Sequence, residues 1–541
     1  MSRLRMYNEY MPPYKAAIDA GVGSVMSAFN VVDGIPATGN KWLLTELLRN
    51  DWGFDGFVVS DASSVQEMCA HGMGNTQEVA ALAVNAGLDM DLGSEAFMRT
   101  LEKSVAEGRV SEEQINKACR RILEAKYKLG LFEDPYKYCD VSRPAKEVYI
   151  QKHRDFARQL ATETFVLMKN ENQLLPLKKE GKVALIGPFL NDRKEIQGTW
   201  SPSGANEKYT TILEAFRKTV GEKVELLYAR GCGFEDGANE EQIQNYLRDK
   251  GKGFKWQPGT PEEADEAVRV AGQSDVIIAF LGEHEMMSGE SSSRSELTLP
   301  ASQRALLERL LNTGKPVVLV YFMGRPVVMD WETEHVSAIL NVWFPGSEAG
   351  DAIADVLFGD VNPSGKLTAS FPRNVGQIPI HYDELPTGRP LAEGSKFVKF
   401  TSAYLDVPNT PLYPFGYGLS YTTYEYSPMT LSADRMTEQG NIKVSVTVKN
   451  TGDYDGDEIV QLYIRDLVGS ISRPLKQLKG FQRIHLKKGE SKEVTFTLTS
   501  ELLKFYNSEL QYVCEPGDFE VMVGPDSQRL ECRRFTLSAN N

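Results

Sequence analysis

Apolar positions along the chain change their period twice. Up to about residue 135, short apolar runs alternate with segments whose apolar residues recur every three or four positions. Runs at 23–29, 57–60 and 88–92 are bounded by glycine or polar residues and read as buried strands. Residues 16–21 end a helix before the first of them. Leu43, Leu44, Leu47 and Leu48 line one face of a second helix, capped near Asn40. Asn75 and Glu78 have capping-box spacing ahead of a third helix that Gly87 stops. Ser111 and Gln114 open a fourth, whose Ile115, Ala118, Cys119, Ile122 and Leu129 share a stripe. Strands joined by helices in this order predict parallel α/β units.

The second regime runs from about 161 to 375. Continuous apolar strands are expected at 183–186, 224–228, 275–281, 317–322 and 338–342, with helices near 206–219, 262–273, 301–313 and 348–358. Such strands predict a sheet covered on both faces. Residues 376–430 carry Pro, Gly and Tyr with little periodicity and read as a long, wrapped connection. From 441 onward the alternation is strict: IKVSVTVKN, EIVQLYIRD, KEVTFTLT and FEVMVG predict a small β-sandwich. The expected division is therefore 1–135, a linker and helix at 136–160, 161–375, a connection at 376–430, and 431–541.

Composition narrows the function. A chain of 541 residues has room for about three domains. Its formal charge of -14 argues against a nucleic-acid partner, and no apolar run is long enough to span a membrane. The six cysteines (69, 119, 139, 232, 514, 532) have no CxxC spacing; Cys514 and Cys532 lie close enough in sequence to pair, but reduced thiols are expected. The six histidines form no HExxH or i,i+4 pair, and no glycine-rich nucleotide motif follows a strand, so neither metal nor cofactor is expected.

One run ends in chemistry. Phe57-Val58-Val59-Ser60 leads into Asp61, and parallel strands present ligands beyond their carboxyl ends. By itself an aspartate there reads as a solvated loop residue, a metal ligand or a carboxylate nucleophile. The surrounding text is more specific. GNKWLLTELLRNDWGFDGFVVSDASS (39–64), AVNAGLDMDL, VLMKN (166–170), GESSSR, VLFGDVNPSGKLTASFP and YPFGYGLSYT occur in that order. The ordered set resembles glycoside hydrolase family 3, especially its periplasmic β-glucosidase-like members, over essentially the whole chain.

That resemblance implies a multidomain α/β plus all-β protein: the C-terminal part of a (β/α)8-like barrel, an α/β sandwich domain and a fibronectin type III-like β-sandwich. The last is read as a packing scaffold without chemistry. The three strand–helix units look like the barrel's sixth to eighth, since a closed barrel needs about eight. Met1 is followed by SRLRMYNEYMPPYKAAIDAG, which lacks the apolar stretch and cleavage site of a signal peptide. The expectation is a fragment starting at an internal methionine, inactive or nearly so alone, from a complete periplasmic protein.

The implied activity is an exo-acting retaining β-glycosidase that removes terminal sugars from β-glucosides or oligosaccharides through a covalent glycosyl-enzyme. Such enzymes use two carboxyl groups about 5–5.5 Å apart. Asp61 maps to the nucleophile. The second carboxyl is expected in 281–294, a polar loop after the 275–281 strand, where Glu283, Glu285 and Glu290 compete. Glu290, with Arg294 after it, matches the family's acid/base; Glu283 reads as a loop anchor and His284 as a loop hydrogen-bonding residue. Met26 and Phe29 map to substrate-binding positions on the preceding strand, core packing being the other reading. Many members have Tyr where Phe29 stands, bonding the nucleophile, and an aromatic platform where Ala62 stands. The alternative is a catalytically inactive module that at most binds carbohydrate. Sugar and linkage preference do not follow from these residues, and a homo-oligomer stays open.

Overall fold

A Cβ at Gly56 would lie 2.3 Å from the Gly23 carbonyl oxygen. That close approach starts the strand Phe57–Ser60, whose aromatic and β-branched residues suit a pleated, half-buried surface. In the computed structural model, which describes residues 1–201, 204, 206–234, 259–392, 394, 395 and 397–539, it pairs in parallel with Ser24–Ser27. Ser27 lies opposite Ser60 and Met26 opposite Val59. The first strand is shorter than expected. The Thr38 hydroxyl takes the Ala28 carbonyl, and Phe29 falls two residues beyond the strand's end.

The expected third strand, 88–92, is reduced to one parallel bridge between Val59 and Met90. Its neighbour Asp89 explains why. The Asp89 carboxylate accepts the Val58 N–H at 2.8 Å, so a side chain occupies a backbone donor that a longer ladder would use. The same carboxylate meets Arg49 Nη2 at 2.6 Å and Arg121 Nη1 at 2.7 Å, tying the strand to two helical segments.

The helices follow local signals closely. Thr76–Ala86 has both halves of the Asn75/Glu78 capping box and ends at Gly87 in a left-handed conformation. Glu112–Lys128 is capped by the Ser111 hydroxyl on the Gln114 N–H. Trp42–Asp51 winds with i→i+5 hydrogen bonds, and the Asn40 carboxamide accepts from Leu43 N just ahead of it. Leu44, Leu48, Val65, Val79, Ala83 and Leu88 close over Val58 as one apolar cluster. These elements form the first of two compact units, Met1–Lys146 together with Lys504–Val513. The late segment joins through Asn8, whose carboxamide copies a strand partner: it donates to Tyr506 O at 3.0 Å and accepts from Tyr506 N at 2.9 Å.

The second unit, Glu147–Leu503 with Cys514–Asn541, holds a six-stranded sheet. Its order is Val166–Asn170, Ala338–Asn341, Val317–Phe322, Val276–Gly282, Gly181–Ile186, Val224–Ala229. Five strands are parallel and match the expected runs; the antiparallel edge strand Val166–Asn170 was not expected. Ile212, Phe216 and Ile353 pack on one face of the sheet, Ala267, Leu306 and Leu310 on the other. Every residue of Val276–Gly282 is consequently buried.

Nine further strands, from Tyr424–Tyr426 to Glu531–Leu537, make a sandwich of one four-stranded and one five-stranded sheet. In Asn441–Asn450 burial alternates, and Ile442, Val444, Val446 and Val448 meet Phe519, Val521 and Phe535 in a shared core. The α/β-plus-sandwich architecture read from the sequence is the one observed. Among the described residues no disulfide joins Cys514 to Cys532.

Breaking the Asp89 cluster tests how the first unit is held. Asp89→Ala leaves two guanidiniums without their counter-charge and should cost about 3–5 kcal/mol. Arg99→Ala, which removes an exposed pair with Glu95, should cost at most about 1 kcal/mol. Urea unfolding of the two variants beside the parent protein checks the contrast.

Candidate active site

Side chains alternate faces along a strand, so Phe57, Val59 and Asp61 share one face while Val58 turns to the helices. The register places Met26 beside Val59 on that same face, 53% exposed. Met26 is therefore not a core residue. Phe29 is half-buried, and its ring has no hydroxyl to offer a carboxylate.

Asp61 is half-buried and held mainly through its backbone. Its N–H donates to Ser27 O at 3.1 Å, and its carbonyl accepts from Ser64 N at 3.1 Å and Ser60 Oγ at 2.9 Å. The carboxylate accepts from Ala62 N at 2.7 Å through Oδ1. Ser63 then adopts φ 65°, a left-handed conformation uncommon outside glycine, with its N–H on Leu92 O at 2.7 Å. The result is a tight turn that presents a carboxylate at the carboxyl end of a parallel strand. Ala62 is exposed and adds no ring.

In the second unit the loop after Val276–Gly282 is organised by Glu283. This buried carboxylate meets Arg294 Nη1 at 3.0 Å and Arg325 Nε at 3.5 Å. Arg325 Nη2 in turn donates to Ser292 O at 2.7 Å, and Arg294 Nη1 to Thr298 O at 3.3 Å. One carboxylate thus fixes the loop backbone on the far side of Glu290 through two guanidiniums. That is the anchor role read from the sequence. Glu290 itself is exposed on the segment so held.

Glu285 is buried and ion-paired with Lys194. Its N–H donates to Glu195 Oε2 at 2.7 Å, and Glu195 is fully buried beside Asp192. Burial, with the nearby Asp192 and Glu285 charges, pushes the Glu195 carboxyl up to about 7, Lys194 opposing. Burial pushes the His284 imidazole down to about 3, helped by Arg294 and Lys194, and its Nδ1 accepts from Met286 N at 3.1 Å. A loop hydrogen bond is the role the sequence reading gives His284.

Thr199 completes the floor of this loop, its hydroxyl reaching the carbonyls of Glu285 and, at 2.6 Å, Ser288. Beside it Trp200 is 73% exposed. Sequence reasoning passed over Lys194, Glu195, Thr199 and Trp200, because an irregular segment carries no period to flag them. Among the described residues no His, Cys, Asp or Glu group is arranged to hold a metal, and no helix is long and apolar enough to cross a membrane.

Comparison with known proteins finds the glycosyl hydrolase family 3 N-terminal domain at residues 1–125, the family's C-terminal domain at 165–421 and a fibronectin type III-like domain at 458–527. A periplasmic beta-glucosidase of Salmonella typhimurium is 44% identical over 99% of this chain and 70% of its own length. A beta-xylosidase of Formosa agariphila is 39% identical over 99% and 72%. The crystal structure of a beta-glucosidase from Listeria innocua in complex with isofagomine superposes with a TM-score of 0.91 at 38% identity, covering 100% of this chain and 72% of that one. The expectation that earlier barrel units are missing is not confirmed by these matches.

The Glu195 cluster predicts a pH signature in stability. A carboxyl raised from 4.5 to about 7 on folding stabilises fully below pH 4.5, and that contribution is lost as pH rises through 7. Relative to Glu195→Gln, which stays neutral, the parent protein should lose about 3 kcal/mol between these limits and nothing more above them. Thermal midpoints of both proteins at pH 4.5, 6 and 8 check the sign.

Proposed function

The chain belongs to glycosyl hydrolase family 3. From that premise we propose that it is an exo-acting, retaining β-glycosidase of the β-glucosidase type, with Asp61 as nucleophile and Glu290 as acid/base. The observation that carries the reading is the Asp61 turn: a half-buried carboxylate at the end of a parallel strand, fixed by backbone bonds on both sides. Glu290 is the only one of the three competing glutamates that is not buried. Glu283 is committed to two guanidiniums and Glu285 to Lys194.

Chemically, the Glu290 carboxyl donates its proton to the glycosidic oxygen as the bond to the anomeric carbon breaks. The Asp61 carboxylate bonds to that carbon and forms a glycosyl ester. Glu290, now a carboxylate, takes a proton from water, whose oxygen displaces Asp61 and releases the sugar with its original configuration. Met26, on the face that Asp61 shares, lines the sugar side, and Phe29 takes the second position by family correspondence alone.

The substrate is a carbohydrate with a terminal β-linked sugar, supported by relatives named as beta-glucosidases and a beta-xylosidase. The name of the Salmonella relative supports work in the periplasm. A module that only binds sugar is disfavoured, because the matches run through both family domains and not the sandwich alone.

Two variants test the roles. Asp61→Asn should abolish nearly all turnover, with no 2-fluoro-glycosyl ester on the Asp61 peptide. Glu290→Ala should slow hydrolysis of poor leaving groups by about 10²–10⁴-fold while sparing activated aryl glycosides. Azide should restore turnover of that variant and yield a β-glycosyl azide. If Glu283→Ala behaves this way instead, the acid/base assignment moves to Glu283.

A further inference from the structure

Beneath the Asp61 turn lie three hydroxyls that the reaction does not use. Ser27, Thr38 and Ser64 are each at most 3% exposed. Thr38 Oγ1 lies 2.9 Å from Ser27 Oγ and 2.9 Å from Ser64 Oγ, and it donates to Ala28 O at 3.3 Å. A threonine hydroxyl has one proton and two acceptor sites. With one proton to give and two acceptor sites, the Thr38 hydroxyl can serve all three partners at once.

These contacts close a ring through Asp61. Ser27 O accepts the Asp61 N–H, and Ser64 N donates to the Asp61 carbonyl. From Asp61 the path therefore runs to Ser27, across the hydroxyls to Thr38 and Ser64, and back to Asp61. The three partners come from the Ser24–Ser27 strand, the turn Ala37–Gly39 and the helix Ser64–Glu67. No other side chain joins all three elements by hydrogen bonds among the described residues.

The nucleophile needs such a brace. Among the described residues its carboxylate accepts one N–H, from Ala62, and the half-buried Phe29 ring has no hydroxyl to add a bond. Two residues on, Ser63 sits in a left-handed conformation that surrounding contacts must hold. Attack on an anomeric carbon tolerates only about 0.5 Å of misplacement.

We propose that Thr38 is a positioning residue for catalysis, its hydroxyl fixing the backbone on both sides of Asp61. The inference rests on Asp61 being the nucleophile. It differs from a purely structural role in a measurable way: a loosened turn slows attack in every folded molecule, whereas lost stability lowers only the number of folded molecules.

Inactivation by a 2,4-dinitrophenyl 2-deoxy-2-fluoro-β-glucoside separates the two. Its first-order constant reports attack by the nucleophile, and intact mass reports the fraction of chains labelled. Thr38→Val keeps the shape and removes the hydroxyl; its constant should fall by about tenfold or more while labelling still reaches the parent's final fraction. Thr38→Ser should stay within about threefold of the parent. A Thr38→Val constant equal to the parent's overturns the proposal, as does a Thr38→Ser constant as low as that of Thr38→Val. If Thr38→Val does not fold, Ser64→Ala must show the slowed constant, and a parental value there overturns the proposal too. Peptide mapping of the labelled parent protein is read first. An ester away from Asp61 overturns the nucleophile assignment and this inference together, while an ester on Asp61 with unchanged constants overturns this inference alone.

Discussion

A strand that ends inside a protein leaves backbone N–H and C=O groups that the residues after it must satisfy. Both candidate carboxylates sit where that requirement is met. After Phe57–Ser60 it is met at close range: Ser27 O takes the Asp61 N–H, and the Asp61 carbonyl accepts from Ser64 N and the Ser60 hydroxyl. After Val276–Gly282 it is met by longer groups. Gln303 exchanges two hydrogen bonds with the Gly282 backbone, and Arg294 and Arg325 reach the carbonyls of Thr298 and Ser292. The first arrangement gives a short, stiff turn and the second a longer loop held at its base. A nucleophile that must stay put and an acid that must protonate a departing oxygen suit these respective settings.

Three buried carboxylates show how differently a charge can be kept inside. Asp89 and Glu283 each face two guanidiniums, so their desolvation is offset by opposite charge within 3.5 Å. Burial raises the Glu195 carboxyl most, and the neighbouring acids Asp192 and Glu285 add to that while Lys194 opposes it. The outcome is a carboxyl pushed toward its neutral form. All three position backbone beside the proposed chemistry without presenting a carboxylate to substrate. This explains why counting glutamates in the sequence could not by itself choose among Glu283, Glu285 and Glu290.

Local signals were the most legible part of the sequence. Asn75 with Glu78 fixes a helix start because both hydrogen bonds of a capping box lie within four residues. The buried runs at 276–282 and 317–322 announce a doubly covered sheet because every position must be apolar. Asp61 was found through its motif, which preserves residues adjacent in sequence. The edge strand Val166–Asn170 was legible only as motif text, since its single partner strand lies about 170 residues downstream. The run at 88–92 looked like a strand because apolar content says nothing of where the Asp89 side chain will bind.

The sequence by itself therefore determined the class of the fold, the capped helix starts at Asn75 and Ser111 and the identity of the candidate nucleophile. Each of these rests on period, capping or contiguous motif. Only the tertiary structure showed which of these carboxylates are buried in ion pairs, because burial and ion pairing depend on partners such as Arg325 for Glu283 and Lys194 for Glu285. It likewise decided the hydroxyl ring under Asp61, whose members at 27, 38 and 64 share no sequence period. The joining of Asn8 to Tyr506, 498 residues apart, belongs to the same category. Short-range order follows from the geometry of a few neighbouring residues, whereas a site requires groups that meet only once the chain has folded.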